Sequence, residues 1–354
     1  MNRDQIIKHL KQYTEREQIY LEYYNLRDTP EQRAAFASRF NHNDGLTTRK
    51  GLLEGWIFFP EVYPESKPHD IFFSDEMFFE PSANVMVVKH DRYTPLFLHK
   101  HTLFELCYVL KGHCIQHISD KDLELKEGDF CFIALETFHS IGVFDDSLIL
   151  NIMLKQNTFD EIYTYALRNK SVLTSFFINN LYDEYKTDYI LFHTGGDLDI
   201  QNMILDMYIE QSEQDEYCDN QMTCMMSILL SRLMRKYAKT AELPISKAKD
   251  NAWRIDLLNY LQNHYQTATL SDTAAYFNYS PAYCSKLIKK TTGQTFSELL
   301  REVRLRHAET LLRTTSISIE KLSYRIGYEN PESFSRMFRK SRGMSPEQFR
   351  ESDI

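Results

Sequence analysis

The stretch LSYRIGYENPESFSRMFRKSRGMSPEQFR, residues 322–350, determines the fold of the C-terminal third of the chain. Apolar residues recur at helical spacing on both sides of a break at Gly327, which predicts two short amphipathic helices joined by a tight turn. Glycine adopts the left-handed backbone of such a turn at the least cost. Asn330 suits the cap of the second helix, and Pro331 suits its first position, where no amide hydrogen is needed. The stretch therefore predicts a helix-turn-helix unit.

The same pattern occurs fifty residues upstream, where CSKLIKKTTG (284–293) aligns without a gap with FSRMFRKSRG (334–343). Asn278 would stand at the turn, because asparagine tolerates a left-handed backbone best after glycine. Ser280 and Pro281 would cap and begin the second helix. This gapless internal repeat predicts two helix-turn-helix units in one domain.

The last hundred residues resemble the DNA-binding domain of the AraC/XylS family of bacterial transcription regulators. The segment 296–312 resembles the long linker helix that joins the two units in that family, and Ser323 and Cys284 stand where the family usually has alanine and leucine. The residues that carry the resemblance are Ile319, Leu322, Ile326, Gly327, Tyr328, Ser333, Phe334, Phe338, Gly343, Ser345, Pro346, Phe349 and Arg350, with Ala308, Leu311 and Leu312 in the linker helix. The resemblance implies a regulator that binds double-stranded DNA, with RNA polymerase as a further partner, and no enzymatic activity.

Each unit would insert its second helix into a major groove of DNA. In the first unit we expect Ala282, Ser285 and Lys286 to face base edges, with Lys289 and Lys290 nearer to phosphates. In the second unit we expect Glu332, Ser335 and Arg336 to face base edges, with Arg339 and Lys340 outside them. Arg336 suits a bidentate guanine contact and Glu332 suits a cytosine amino group. A solvated charge or a phosphate contact is the alternative for each cation.

The charge distribution separates two parts of the chain. The net charge is -9 overall, yet residues 251–354 carry 15 Lys and Arg against 11 Asp and Glu, which leaves the rest at -13. A cationic end on an acidic body is typical of a DNA-binding module attached to a sensing module.

No run of about 18 apolar residues occurs and the N-terminus is polar, so we expect a cytoplasmic protein without a membrane partner. The six cysteines show no zinc-binding spacing, and we expect reduced thiols.

The remainder of the chain predicts three further segments. Residues 1–50 read as a helical extension, and packing onto the next domain is favoured over a partner-binding role. Residues 51–160 contain many short apolar runs with turn signals between them, which predicts a small antiparallel barrel or jelly roll. Residues 161–240 read as helical and are expected to include a dimerisation helix with apolar positions from Met222 to Leu233, or to pack on the barrel. Residues 241–250 read as the linker to a DNA-binding domain at 251–354.

Within the predicted barrel, His99, His101, Glu105 and the later His139 resemble the first and part of the second cupin motif, although Ala134 and Leu135 replace the proline expected in the second. His99 and His101 alternate on a strand, so they should project from one face. Three imidazoles and a carboxylate suit a divalent metal such as iron, manganese or zinc. In many regulators that the chain resembles, such a stretch belongs to a barrel that binds a small effector, often a sugar, without a metal.

The fold class is therefore predicted as α+β. An N-terminal cupin-like antiparallel β-barrel with flanking helices precedes an all-α domain with two helix-turn-helix units joined by a long linker helix. The predicted function is a homodimeric, sequence-specific transcription regulator with no obligatory cofactor, controlled by an effector at His99, His101, Glu105 and His139.

The alternatives are a cupin metalloenzyme, of dioxygenase or isomerase type, with a divalent metal on the same four residues, or an architectural DNA binder with an inactive barrel. Plain hydrogen bonding across strands is a further alternative for the histidines. Phe97, Phe104, Tyr108, Phe130 and Phe132 could line the pocket or form plain core.

Overall fold

The computed structural model describes residues 2–40, 71–79, 83–166, 188–244 and 251–352, with the single positions 57, 59, 60 and 176. The chain forms two compact units, one from Met1–Ile162 with Lys186–Pro244 and one from Tyr163–Tyr185 with Ile245–Ile354. Several predicted segments lie partly outside the described residues. These are the start of the predicted barrel (51–56, 58 and 61–70), the end of the expected linker (245–250) and the end of the N-terminal extension (41–50). Among the helices that are described, none combines the length and apolar character needed to span a membrane.

The first unit, here called the sheet domain, contains two five-stranded sheets in the orders β1-β3-β8-β5-β6 and β10-β7-β4-β9-β2. The strands are β1 (Ile71–Phe73), β2 (Val85–Lys89), β3 (His99–His101), β4 (Phe104–Lys111), β5 (His113–Ile118), β6 (Lys121–Lys126), β7 (Asp129–Ile133), β8 (His139–Gly142), β9 (Leu148–Leu154) and β10 (Tyr189–His193). Only β1 and β3 pair in parallel among the described strands. Buried side chains of both sheets share one core, so the predicted barrel takes the form of two packed sheets and not of one closed sheet.

Strand β10 corrects the expectation that residues 161–240 are helical. Its residues Tyr189–His193 pair antiparallel with β7, with Tyr189 opposite Ile133, and the first four are buried. The run YILFH is rich in β-formers and is followed by Gly195 and Gly196, which is a strand-and-turn signal. Pairing with β7 buries both faces of this run, which favours a strand over a helix.

Six helices accompany the sheets in the described parts of the chain. They are α1 (Arg3–Lys11), α2 (Glu15–Asn25), α3 (Pro30–Ala37), α4 (Gln156–Ala166), α5 (Leu198–Glu210) and α6 (Cys218–Tyr237). The α5–α6 hairpin is tied to β2, because the Gln211 amide exchanges hydrogen bonds of 2.9 and 2.5 Å with the main chain of Val87. Asp219 accepts from both the backbone and the side chain of Asn84 at 2.7 Å. These hydrogen bonds hold the hairpin against the sheet domain, and the apolar residues on one side of each helix are buried.

A buried ion-pair network attaches the N-terminal helices to the sheet domain. Glu17 on α2 is completely buried and accepts hydrogen bonds from Arg92 at 2.8 and 3.0 Å and from Lys89 at 2.7 Å. Arg92 is itself buried and also lies over the ring of Tyr13, 3.8 Å from its centroid. Burial would raise the pKa of Glu17, but the hydrogen bonds from Arg92 and Lys89 outweigh it and lower the pKa to about 2.

The second unit, here called the helical domain, consists of α7 (Asn251–His264), α8 (Leu270–Tyr276), α9 (Pro281–Thr292), α10 (Phe296–Thr314), α11 (Ile319–Arg325), α12 (Pro331–Arg342) and α13 (Pro346–Glu351). It has two apolar cores. Leu299, Leu300 and Val303 of α10 belong to the core of α7–α9, and Leu305 and Leu312 belong to the core of α11 and α12. The long helix α10 thus joins the two halves by contributing to both cores, as predicted for a linker helix.

We expect acid to weaken the attachment of the N-terminal helices. The pKa of Glu17 is depressed in the folded state, so its contribution is complete above about pH 4.5 and is lost as the pH falls toward 2. A shift of this size corresponds to about 3 kcal/mol. Hydrogen exchange of α1 and α2 over this pH range should show the loss in wild type, whereas Glu17→Gln should exchange faster already at neutral pH. Asp206→Asn removes the exposed pair with Arg3 and should leave the pH profile unchanged, and an equal effect of both variants would contradict the assignment.

Candidate functional site

The two helix-turn-helix turns have the backbone that the sequence predicts. Asn278 and Gly327 both adopt left-handed conformations, with φ of 58° and 91°. Ser280 caps α9 by accepting from the amide of Tyr283 at 3.3 Å. The Asn330 side chain caps α12 by accepting from Glu332 N at 2.8 Å and from the next amide at 3.3 Å. The predicted turns and caps are confirmed.

The repeat extends beyond the recognition helices α9 and α12. Gly293 and Gly343 end these helices with left-handed φ values of 70° and 78°. The next helix begins in each case with a reciprocal capping box, Thr295 with Glu298 in the first unit and Ser345 with Gln348 in the second. The two units therefore share turn, cap, helix end and following cap in the same order.

The residues expected to contact DNA lie on the outer sides of the recognition helices. Ser285 and Ser335 are half-buried, and the other eight are exposed: Ala282, Lys286, Lys289 and Lys290 on α9, with Glu332, Arg336, Arg339 and Lys340 on α12. None of the six cations forms an ion pair with another described residue. Tyr283, which sequence analysis passed over, is 53% exposed beside Ala282 and offers an aromatic surface at the start of α9.

Other arginines of the helical domain serve its structure. Arg342, on the same helix as Arg336, binds Glu302 at 2.9 Å and also pairs with Glu309. Arg304 on α10 donates to the main-chain oxygens of Tyr265 and Gln266 at 2.8 and 3.1 Å. The six cations expected to contact DNA are thus available for a ligand, whereas Arg304 and Arg342 are engaged within the domain.

The sheet domain contains a cavity of about 480 Å³ between the N-terminal helices and the strands. Leu10, Tyr13 and Tyr20 of α1, α2 and the segment between them form one wall, and Tyr208 of α5 also lines the cavity. His99, His101 and Glu105 line it from the strands. The N-terminal extension therefore builds part of the cavity, a role that its amphipathic pattern alone did not indicate.

The four candidate effector residues lie together beside this cavity, and His99, His101 and Glu105 line it. His99 on β3 is directly opposite His139 on β8, and the ligand-type atoms of His99, His101, Glu105 and His139 all lie within 4.8 Å of one another. His101, Glu105 and His139 are buried and His99 is half-buried. The Nε2 atom of His101 lies 2.9 Å from Glu105 Oε2, and that of His139 lies 3.4 Å from the same oxygen. This group is called the His₃Glu cluster below.

Burial and mutual contacts shift the pKa values of His99, His101 and Glu105. It lowers the pKa of His99 well below its ordinary value, and the neighbouring imidazoles of His139 and His101 lower it further. Burial also lowers the pKa of His101, against the opposing effect of Glu105. Burial alone would raise the pKa of Glu105, but its contacts with His101 and His139 hold that pKa well below its usual range. His99 and His101 therefore favour the neutral imidazole, beside a Glu105 that favours the carboxylate.

Two further polar groups face the cavity from its walls. Asn151 is buried, and its Oδ1 has no hydrogen-bond partner among the described residues, nor has the buried Nε2 of His90. Of the aromatic residues considered from sequence, Phe97 lines the cavity. The other four are core: Phe104 and Phe132 stack at 5.3 Å, and Tyr108 packs on Phe130 at 5.7 Å. They occupy strand positions that alternate with Glu105 and so lie on the opposite face.

Comparisons with known proteins find similarity to helix-turn-helix transcription regulators. Residues 273–352 match the family model described as "Helix-turn-helix domain". The chain is 24% identical over 257 residues to the HTH-type transcriptional activator RhaR of Salmonella arizonae, covering 71% of this chain and 86% of RhaR. It is 34% identical over 93 residues to the uncharacterized HTH-type transcriptional regulator YijO of Escherichia coli, covering 26% and 33%.

One similar solved structure is the C-terminal domain of AraT, a response regulator from Geobacillus stearothermophilus. It is 34% identical, has a TM-score of 0.28, and covers 30% of this chain and 88% of its own. The predicted helix-turn-helix domain is confirmed by the family model, and the alignment with RhaR extends well beyond that domain.

We expect Gly327→Ala to unfold or distort the second helix-turn-helix unit. A Cβ atom there would lie 2.2 Å from the carbonyl oxygen of Gln266 and 2.9 Å from the Arg304 guanidinium. Gly343→Ala is the matched control, since Gly343 has a similar φ of 78° but no atom within 4 Å of the added Cβ. The control should cost about 1–2 kcal/mol for the left-handed backbone alone. Urea unfolding should show a larger loss for Gly327→Ala, and equal losses would contradict a steric role for Gln266.

Proposed function

We propose that this chain is an AraC-type transcription regulator that binds operator DNA through α9 and α12 under the control of a small molecule. The match of residues 273–352 to the helix-turn-helix family model and the similarity to RhaR support this proposal. One observation carries the proposal: two equivalent recognition helices, held by one linker helix, both expose cations that make no ion pair within the described structure. Such cations replace counterions along the phosphate backbone. The target is DNA, so we place the protein in the cytoplasm.

The two helices would occupy successive major grooves about one DNA turn, roughly 34 Å, apart. Arg336 and Glu332 on α12 and Lys286 on α9 would face base edges. Lys289, Lys290, Arg339 and Lys340 lie further along the helices and would bind phosphates. Base contacts supply the specificity, whereas phosphate contacts position the protein.

The effector would bind in the cavity of the sheet domain. Its volume of about 480 Å³ falls within the range of about 300–1,000 Å³ that small-molecule sites occupy. Aromatic walls with a few convergent polar groups are the usual composition of such a site. Here the polar groups include His99, His101 and Glu105 of the His₃Glu cluster, with Asn151 and His90.

We also propose that the protein is a homodimer that contacts RNA polymerase at its promoter. The outer face of α6 supports the dimer, because Ile228 is 47% exposed and Cys224 lies exposed one turn before it. The inner face of α6 is already buried on the sheet domain, so this outer face is what remains for a second copy. A sedimentation mass of a single chain at micromolar concentration would contradict the dimer.

The experiment that tests the function is a fluorescence titration of the full chain on DNA from its own upstream region, repeated over salt concentration and with a panel of sugars and other metabolites. We expect sequence-selective binding that weakens as salt rises and that one metabolite class shifts. Absence of selective binding under every condition would reject the regulator. Selective binding that no metabolite changes would reject the effector part and favour an architectural DNA binder.

Arg336→Ala should weaken operator binding by about 1–3 kcal/mol and relax specificity at one base pair. Arg342→Ala is the matched control on the same helix, because Arg342 pairs with Glu302 and Glu309. The control should lower the stability of the helical domain without changing base preference. Binding to a library of operators with single base-pair changes measures both effects. A uniform loss across the library for Arg336→Ala would show that Arg336 contacts phosphate only.

A metalloenzyme with an attached DNA-binding module is the second candidate, and the His₃Glu cluster is the observation that favours it. The relatives described above are named as transcription regulators, which favours the first candidate. Turnover of a substrate by the metal-loaded protein, with no effect of that substrate on DNA affinity, would favour the metalloenzyme over the regulator.

A further inference from the structure

The segment that follows α6 is joined to the edge of one sheet by an isolated β-bridge. Glu242 and Leu191 of β10 exchange two main-chain hydrogen bonds, of 2.8 and 2.9 Å. Strand β10 is the edge strand of its sheet, so residues 241–244 extend that sheet by one short pairing. Pro244 has no amide hydrogen and cannot continue the pairing. The bridge therefore lies where the chain leaves the sheet domain.

A histidine side chain fastens the same segment. His193, two residues after Leu191, lies between two carboxylates: its Nδ1 is 2.7 Å from Asp129 Oδ1 and its Nε2 is 3.3 Å from Glu242 Oε1. Asp129 is the residue opposite His193 on β7, and its other carboxylate oxygen accepts from the amide of Lys126 at 2.8 Å. Asp129 is thus held by the sheet, whereas Glu242 belongs to the segment that His193 fastens.

Both contacts together require the charged form of His193. An ionised carboxylate only accepts hydrogen bonds, and a neutral imidazole has one N–H group, so it can donate to one of the two partners. The imidazolium has two N–H groups and donates to both. Because Asp129 is the nearer partner, the neutral ring would keep its proton on Nδ1 and turn a lone pair toward Glu242. Loss of the second proton therefore removes the attraction to Glu242 and leaves two acceptors facing each other.

The surroundings of His193 agree with a charged ring. Helix α6 also packs on β10, and its Lys236 and Tyr237 both bind Asp197, at 2.9 and 2.6 Å. The charges that act on His193 are thus those of the two carboxylates. Burial opposes a charge on the ring, but the hydrogen bonds and charges of the carboxylates outweigh it and raise the pKa of His193 above its ordinary value. Their stabilisation is complete below about pH 6.5 and is lost as the pH rises through the raised pKa.

We propose that residues 241–244 form a pH-sensitive latch, which the His193 imidazolium closes by binding Asp129 and Glu242 and which opens when His193 loses its proton. With the latch open, the tether to α7 begins at the end of α6, at Tyr237, and no longer at Glu242. The length of a tether sets the effective concentration of the module that it carries. The latch thus gives the helical domain an input, pH, that goes beyond the proposed control by a small molecule in the cavity.

The test follows hydrogen exchange of the Leu191 and Glu242 amides in the full chain from about pH 6 to about pH 9, by mass spectrometry with fragmentation to single amides. Protection factors remove the intrinsic pH dependence of exchange, and the amides of the central strand β4 are the reference for global stability. In wild type we expect the protection of the two amides to fall by about two- to fivefold as the pH rises, the size that a half-exposed ion pair permits.

Two variants should remove this pH dependence in different ways. His193→Gln has no titrating ring, so the protection should stay at the alkaline wild-type level at every pH. Glu242→Gln should also abolish the dependence, because its amide can donate to the lone pair of a neutral imidazole. Near-ultraviolet circular dichroism checks that each variant is folded.

His117→Gln is the matched control, since His117 on β5 pairs with one carboxylate, that of Asp122, in the other sheet. It should keep the wild-type pH dependence. The proposal is overturned if the protection in wild type does not change over the pH range, or if folded His193→Gln or Glu242→Gln keeps the wild-type dependence. None of these measurements uses DNA or an effector, so failure of the proposed function would leave their outcome unchanged.

Discussion

The helical domain depends on a backbone approach that admits no side chain. At Gly327 the turn of the second helix-turn-helix unit lies against the carbonyl of Gln266, which follows α7 of the first unit, and the Arg304 guanidinium closes the same point. Arg304 also lies over the ring of Tyr328 at 5.4 Å. Since α10 contributes to both apolar cores as well, the two recognition helices belong to one packed domain. A protein that binds two grooves one DNA turn apart benefits from a fixed spacing of its recognition helices, because a variable spacing would spend binding energy on ordering them.

In the sheet domain, a buried ion pair determines where the N-terminal helices attach. Glu17 holds α2 through Arg92 and Lys89, and the helices that it anchors form one wall of the cavity. A buried ion pair contributes little net stability compared with apolar packing, but breaking one partner is costly. The network therefore serves to fix where the helices lie. The cavity is therefore formed by segments that are distant in sequence, since α1, α2, the strands and α5 all line it.

Local signals were sufficient to predict the helical domain. Its turns at Asn278 and Gly327 and its caps at Ser280 and Asn330 are determined within a few residues, so sequence analysis located them. The His₃Glu cluster was also predictable, because alternation along β3 and the step to β4 place its members on one side. Strand β10 was not, since a five-residue apolar run fits either helix or strand until its partner β7 is known. The cavity wall formed by α1 and α2 could not be predicted either, because an amphipathic pattern does not identify the surface on which the helix packs.

Control of DNA binding by the cavity has a definite energetic requirement. A ligand changes an equilibrium only by its difference in affinity for the two states, and a tenfold change in DNA affinity needs about 1.4 kcal/mol. His99 and His139 stand on neighbouring strands of one sheet, while Glu105 comes from the other sheet. Because His99 and Glu105 both line the cavity, a ligand that contacts both would bind across the two sheets, and its affinity would depend on their spacing.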